Sequence, residues 1–364
     1  MIFRSGTTGF ITAALLGACA PRGVPVAPLR PGTPLVRYEQ TRPSMGGMLK
    51  ISIVAPDGYD GKADAALTNA FNEVDRWEKL LSEWIPESPV SQVNASAGKE
   101  PVKVPAEVIA AFKRAVTVSQ ASKGAFDVTF AGMDKVWDFR EGAEHRVPTV
   151  AEREAARARV DWQKIAINER DGTVFLPEAG MKAGFGGLGQ GIGADAAAVQ
   201  LKKAGFDDFV VDLSGDAFFA GDAGGEAWHA AIQDPRGERG KTVASLQVRD
   251  QAVETSGDYE KFFIADGIRY HHVLDARTGA PSRGLASVTV VADDVTTADA
   301  YGTAIFASGP TEGLALLLAR KLQGVLITAP EAGAPSVMMV TKGLKERIDT
   351  RGWSGDVVWI GGSS

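Results

Sequence analysis

Residues 182–195, KAGFGGLGQGIGAD, place six glycines at the start of a helix-forming run, and no other stretch narrows the fold as sharply. Glycine permits left-handed turns and close backbone approach, so such a run marks a tight loop whose exposed N–H groups can face a phosphate or similar anion at the helix start. Residues 184–189 satisfy G-x-G-x-x-G, with Asp207 or Asp208 lying about 20 residues further on, the spacing of a dinucleotide fingerprint. That fingerprint requires a buried strand leading into the turn. Residues 178–183, EAGMKA, do not read as one, which turns the argument away from a doubly wound parallel sheet.

The remaining pattern supports that turn. Residues 49–55 alternate as a strand, and Leu67, Phe71, Val74 and Leu81 recur at helical spacing over 63–84. A second helix is expected over 105–119, opening on proline, and a charged one over 151–160. Short β runs punctuated by Gly and Asp follow at 173–176, 209–213, 227–233, 243–248, 261–264, 287–292, 325–328 and 337–340, with helices over 192–204 and 297–321. Strands grouped as hairpins with helices between them predict an α+β fold, with mixed or antiparallel sheets and flanking helices.

Composition limits the chemistry. The 364 residues carry 39 Lys plus Arg against 45 Asp plus Glu, a net charge of −6, which argues against a nucleic-acid partner. One cysteine allows neither an intrachain disulfide nor a cysteine zinc cluster, so any metal must be held by oxygen or imidazole. That cysteine, Cys19, ends a leader in which Arg4 precedes an apolar stretch too short to span a membrane permanently. The leader is read as a lipoprotein signal over 1–18, with Cys19 as the lipidated residue and an ordinary cleaved signal as the alternative. Residues 19–35, proline-rich, read as a tether, and 36–364 as the folded domain.

Two further stretches carry candidate chemistry. In residues 255–279, His271 and His272 are adjacent in a strand and must point to opposite faces, so at most one reaches a site. In residues 296–306, Asp299 and Thr303 share a helical face at i, i+4 and are hard oxygen ligands suited to Mg²⁺. Asp299 could instead balance its own helix dipole while Thr303 sits in the core.

Taken together, SMGGMLKISI (44–53), LLSEWIPESPVSQVN (80–94), GAFDVTFAGMDKVWDF (124–139), the glycine turn, VVDLSGDAFFAG (210–221), IQDPRG (232–237), SGDYEKFF with HHVLDARTG, and ADAYGTAIF resemble the ApbE-type FAD:protein FMN transferases. The resemblance covers most of the chain after the tether. It implies that FAD is cleaved at its pyrophosphate, that FMN is esterified through its phosphate to a Thr or Ser hydroxyl of a partner flavoprotein, and that AMP leaves. It further implies that Met45, Trp84, Ala125, Phe126, Asp127, Gln190 and Leu274 surround FAD, with Trp84 placed to stack. Mg²⁺ would fall to Asp299, Thr303, a carbonyl of the turn at Gly187, and Gly302 through its carbonyl, and His272 would be the base. A lipid anchor on the periplasmic side of the membrane fits such an enzyme.

The chain departs from that pattern where many members read Asp-Leu-Gly-Gly and it reads Gly184-Phe185-Gly186-Gly187, so a flavin-contacting carboxylate is missing. Gln190 stands where many have Lys, and Met45-Gly46-Gly47 where the pattern opens Met-Gly-Thr. The loss at Gly184 leaves open an FAD-carrying lipoprotein without turnover. An FAD pyrophosphatase releasing FMN and AMP is a further alternative.

Overall fold

In the strand Gly47–Pro56, Leu49, Ile51, Ile53 and Ala55 are buried on one side while Val54 is buried on the other, so both faces are covered. The computed structural model describes residues 33–133, 136–140, 142–329 and 335–361. Nine strands cross one sheet in the order in which the chain reaches them: Leu35–Ser44, Gly47–Pro56, Phe209–Leu213, Asp216–Ala220, Gln251–Gly257, Leu285–Ala292, Gln323–Thr328, Val337–Thr341 and Asp356–Ile360. Neighbours pair antiparallel except the last two, which are parallel. The sheet is therefore mixed, and no strand-to-helix crossover of the dinucleotide type leads into the glycine turn.

Among the described residues six α-helices accompany the sheet: α1 (Asp60–Leu81), α2 (Pro89–Ala95), α3 (Ala106–Ala121), α4 (Val150–Arg157), α5 (Gly189–Lys203) and α6 (Val295–Ala319). Apolar faces of α1, α5 and α6 pack with one side of the sheet, through Leu67, Phe71, Leu201, Ile305 and Phe306 among others. The opposite side is closed by a three-stranded sheet of Trp228–Gln233, Thr242–Val248 and Ile348–Asp349, with Trp228, Ile232 and Leu246 in a second core. All eight residues of Leu285–Ala292 are buried, as two covered faces demand.

The expected α+β architecture is present, and the helices and strands read from the sequence recur with ends shifted by a few residues. Four strands of the large sheet were not anticipated: Leu35–Ser44, Asp216–Ala220, Gln251–Gly257 and Asp356–Ile360. Leu35–Ser44 is an edge strand with mostly exposed side chains, and Asp216–Ala220 is buried throughout and so lacks alternation. The helix expected over 297–321 is broken near its middle, where Gly309 takes φ 75° ahead of Pro310. Cys19, the signal and nearly all of the tether lie outside the described residues, and among those described no helix is long and apolar enough to cross a membrane.

Candidate active site

Helices α5 and α6 hold one another by exchanged carboxylates. Asp195 of α5 accepts from Val295 N (2.8 Å), Thr296 N (2.9 Å) and Thr296 Oγ1 (2.6 Å) at the start of α6, where Asp294 is the N-cap. In return, Asp299 Oδ2 accepts from Gly191 N at 2.9 Å in the first turn of α5. Asp299 thus faces the N-terminus of the other helix, and its own helix dipole is balanced by Asp294 and Asp195.

One helical turn beyond Asp299, Thr303 meets the glycine turn. A Cβ on Gly187 would lie 3.1 Å from Thr303 Cγ2, 3.3 Å from Thr303 Oγ1 and 3.0 Å from Phe126 Cε2, so only glycine lets the loop come this close. Gly302 lies against Glu254, whose Oε2 would be 1.7 Å from a Cβ there. The structure therefore gathers Gly187, Asp299, Gly302 and Thr303 in one place.

The electrostatics of that place are lopsided. Asp299 is buried, and its pKa is pushed up to about 7 by burial, with Asp195 adding to the rise and the Gly191 N–H opposing it. Glu254 is pushed well above the carboxylate range by burial first and by Asp299 second. Asp216 rises for the same reasons, with Asp299, Glu254 and Asp212 as charged neighbours. Crowded carboxyls of this kind are relieved by a cation. Among the described residues no three His, Cys, Asp or Glu side chains converge in metal-ligating geometry. A cation would take one or two carboxylates with hydroxyl and carbonyl oxygens, a donor set that suits Mg²⁺.

The stretches expected around FAD are stitched to the same loop or to one another. Asn94 brackets Ala183, its Nδ2 donating to Ala183 O at 2.8 Å and its Oδ1 accepting from Ala183 N at 2.7 Å. Gly184 N donates to Val128 O at 2.8 Å, and Ala276 N donates to Ala125 O at 3.1 Å. Trp137 Nε1 donates to Gly279 O at 2.8 Å. Met45 adopts φ 47°, and its carbonyl accepts from Gln190 Nε2 at 3.2 Å, which joins the first motif to α5. Ala125 and Phe126 are buried, Met45, Gln190 and Leu274 are half-buried, and Trp84 is 80% exposed. A large rigid ring held in solvent after the end of α1 is available for stacking.

Asp127 differs from the others. Its Oδ1 accepts from Thr129 N (2.8 Å) and Thr129 Oγ1 (2.7 Å), and its Oδ2 accepts from Trp162 N (2.9 Å). The carboxylate is buried and engaged by its own turn and by the Trp162 backbone, so it fixes the turn that carries Ala125 and Phe126.

The two histidines do point apart. His271 is buried, with its ring edge-on to Phe306, and Nε2 donates to Ser282 O at 2.8 Å. His272 reaches solvent, and its Nδ1 lies 3.3 Å from the Lys261 carbonyl, an acceptor, which leaves Nε2 as the lone-pair nitrogen. Desolvation by surrounding atoms, then the Lys261 ammonium, lower its pKa to about 4, so the ring is neutral at pH 7. A cavity of about 500 Å³ is lined by Tyr270, Asp275, Arg153 and Arg283 among others, and His272 is not one of its lining residues. None of the FAD or metal residues expected from the sequence lines that cavity.

Three carboxylates at this site were not anticipated. Asp216 and Glu254 stand on neighbouring strands, two residues from Phe218 and Ala252 respectively, and so share their helix-facing side. An acidic residue at an inward strand position was the available signal. The third is Glu83: a Cβ on Gly184 would lie 2.3 Å from Glu83 Oε2, so this carboxylate fills the volume of the side chain that position 184 lacks. Nothing in sequence spacing brings residues 83 and 184 together.

A profile of the ApbE family matches residues 45–326. An FAD:protein FMN transferase from Treponema pallidum is 34% identical over 278 residues, 72% of this chain and 75% of the relative. One from Klebsiella pneumoniae is 29% identical over 80% of this chain and 89% of its own length. Among solved structures, the flavin transferase ApbE from Vibrio cholerae aligns with a TM-score of 0.76 at 25% identity, covering 86% of this chain and 100% of that one. The ApbE protein of Thermotoga maritima aligns with a TM-score of 0.75 at 28% identity, covering 86% and 99%.

Proposed function

The chain belongs to the ApbE family, and from that premise we propose that it is an FAD:protein FMN transferase which uses Mg²⁺ to move FMN from FAD onto a Thr or Ser hydroxyl of a partner flavoprotein, releasing AMP. The observation that carries this reading is the convergence of Asp299, Thr303 and Gly187 on one side of a turn whose other side is stitched to the residues expected around FAD. Mg²⁺ held by Asp299, Thr303 and the carbonyls of Gly187 and Gly302 would offset charge on the pyrophosphate. Trp84 and the Ala125-Phe126 turn, with Met45, Gln190 and Leu274, bind and orient the flavin, and Asp127 serves by holding that turn in shape. The acceptor oxygen attacks the FMN phosphorus, the bond to the AMP phosphate breaks, and His272 Nε2 takes the hydroxyl proton. Its lowered pKa keeps it in the form that can accept one.

An FAD carrier without turnover gained its support from the carboxylate missing at Gly184. The placement of Glu83 removes that support, because a carboxylate stands there after all. In this reading Glu83 replaces it in contacting the flavin. The test is AMP release from FAD with Mg²⁺, with and without an acceptor peptide. Release only with the peptide supports transfer, release without it a pyrophosphatase, and none in either case the carrier. His272→Asn should slow transfer about 10²-fold while FAD affinity is kept, and loss of FAD binding instead would assign His272 a structural part. The leader further suggests a protein lipidated at Cys19 and anchored on the periplasmic side of the membrane. Cys19→Ala should then shift it from the membrane to the soluble fraction, and an unchanged distribution would rule the anchor out.

A further inference from the structure

We propose that Glu254 is a second acidic ligand of the divalent cation, entering the site through the space left by Gly302. This rests on the Mg²⁺ reading above and extends it to a residue outside the expected ligand set. The Gln251–Gly257 strand turns Ala252 toward the helices, and Glu254, two residues on, shares that side. Its side chain ends over the backbone of α6 where Gly302 has no Cβ: Oε2 would sit 1.7 Å from one, so even alanine at 302 would displace it. Glu254 is 4% exposed. Ser256 Oγ donates to Oε1 at 2.7 Å, while Oε2 is buried and makes no hydrogen bond. Burying a carboxylate oxygen without a partner costs free energy that the fold does not recover, and this one is aimed at the turn of α6 that runs from Asp299 to Thr303.

The neighbours fit the assignment. Asp299 lies one helical turn from Thr303, and Gly302 stands between them in sequence, so a carboxylate seated on Gly302 is beside both. Two carboxylates, a hydroxyl and backbone carbonyls make a hard oxygen set for Mg²⁺. Asp216, on the adjacent strand, then stands behind Glu254 as an outer charge.

The test is calorimetric titration of the full-length protein with MgCl₂ in the absence of FAD. Glu254→Gln, which keeps the shape and the Ser256 contact, should weaken Mg²⁺ binding at least about tenfold. Without Mg²⁺ its Tm should match or exceed wild type, because a carboxylate facing Asp299 and Asp216 has been neutralised. Glu254→Ala combined with Gly302→Asp, which returns a carboxylate from the helix side, should recover binding. If Glu254→Gln fails to fold, Gly302→Ala provides the same reading by displacing Oε2 with a methyl group. Wild-type Mg²⁺ affinity in either single variant, alongside its loss in Asp299→Asn, overturns the assignment while leaving the Mg²⁺ site itself intact. If the wild-type protein takes up no Mg²⁺ at millimolar concentration, both fall together.

Discussion

Two groups of carboxylates lie within the same fold, all buried but the half-buried Asp195, and are treated in opposite ways. Asp127 and Asp195 are each met by three donors: Thr129 N, Thr129 Oγ1 and Trp162 N for the first, Val295 N, Thr296 N and Thr296 Oγ1 for the second. Asp299 has one backbone N–H and Glu254 one serine hydroxyl, and these two face each other and Asp216. Burial is similar, since Asp127, Glu254 and Asp299 are 6%, 4% and 5% exposed. What separates the groups is saturation. Where the protein supplies every donor, the carboxylate shapes a loop or caps a helix; where it supplies one, room is left for a ligand of opposite charge.

The largest effect should come from making the same substitution on both sides of that divide. Asp299→Asn removes charge from the unsaturated group and should lower FMN transfer by about 10³-fold or more, equivalent to several kcal/mol of lost charge stabilisation, with Mg²⁺ affinity falling in parallel. Asp127→Asn should instead lower stability by about 1–3 kcal/mol, because an amide cannot accept on both sides as the carboxylate does. Mg²⁺ binding by its folded fraction should stay at the wild-type level. Denaturant unfolding and calorimetry on the two variants decide the matter: a Mg²⁺ defect in Asp127→Asn or none in Asp299→Asn would erase the distinction.

A smaller effect is expected from pH. Asp299 titrates near 4 in the unfolded chain and at about 7 in the metal-free fold. Between those values the folded state holds a proton that the unfolded state has lost, so the Asp299 contribution to metal-free stability should fall as pH rises from about 4 to 7 and level off above. Asp127, Asp195, Asp216 and Glu254, also raised by burial, contribute with the same sign. The Asp299 and Glu254 parts should vanish with saturating Mg²⁺, which takes the place of their protons. Identical slopes of Tm against pH with EDTA and with Mg²⁺ would show that no cation sits on Asp299.

How much of this was readable beforehand follows the range of the interactions. Helix faces and most strands were visible because Leu67, Phe71 and Val74 or Leu49, Ile51 and Ile53 repeat at 3.6 or 2 residues. Asp299 and Thr303 were visible because i, i+4 is a local relation. The edge strand Leu35–Ser44 carried no apolar alternation, and Asp216–Ala220 was buried on both faces. The pairs Glu254 with Gly302 and Glu83 with Gly184 were out of reach, since each joins segments 48 or more residues apart, and a glycine in sequence does not reveal which side chain fills its space.

The smallest effect, and the most specific, concerns that last pair. Glu83 Oε2 lies where the side chain of residue 184 would begin, and Gly184 does not take a left-handed φ, so an aspartate there is compatible with the backbone once Glu83 has gone. If Glu83 supplies the turn with its carboxylate, Glu83→Ala should weaken FAD binding about tenfold, the value of one hydrogen bond to a charged group. Mg²⁺ affinity should hold, because the residue belongs to the flavin side. Gly184→Asp alone should also weaken FAD binding, as two carboxylates compete for one space. Combined, the two changes should recover most of the affinity, a coupling that a double-mutant cycle measures directly. Additive losses in the double variant would mean that Glu83 merely fills volume beside the glycine turn, and the flavin would then have to be held without a carboxylate at that point.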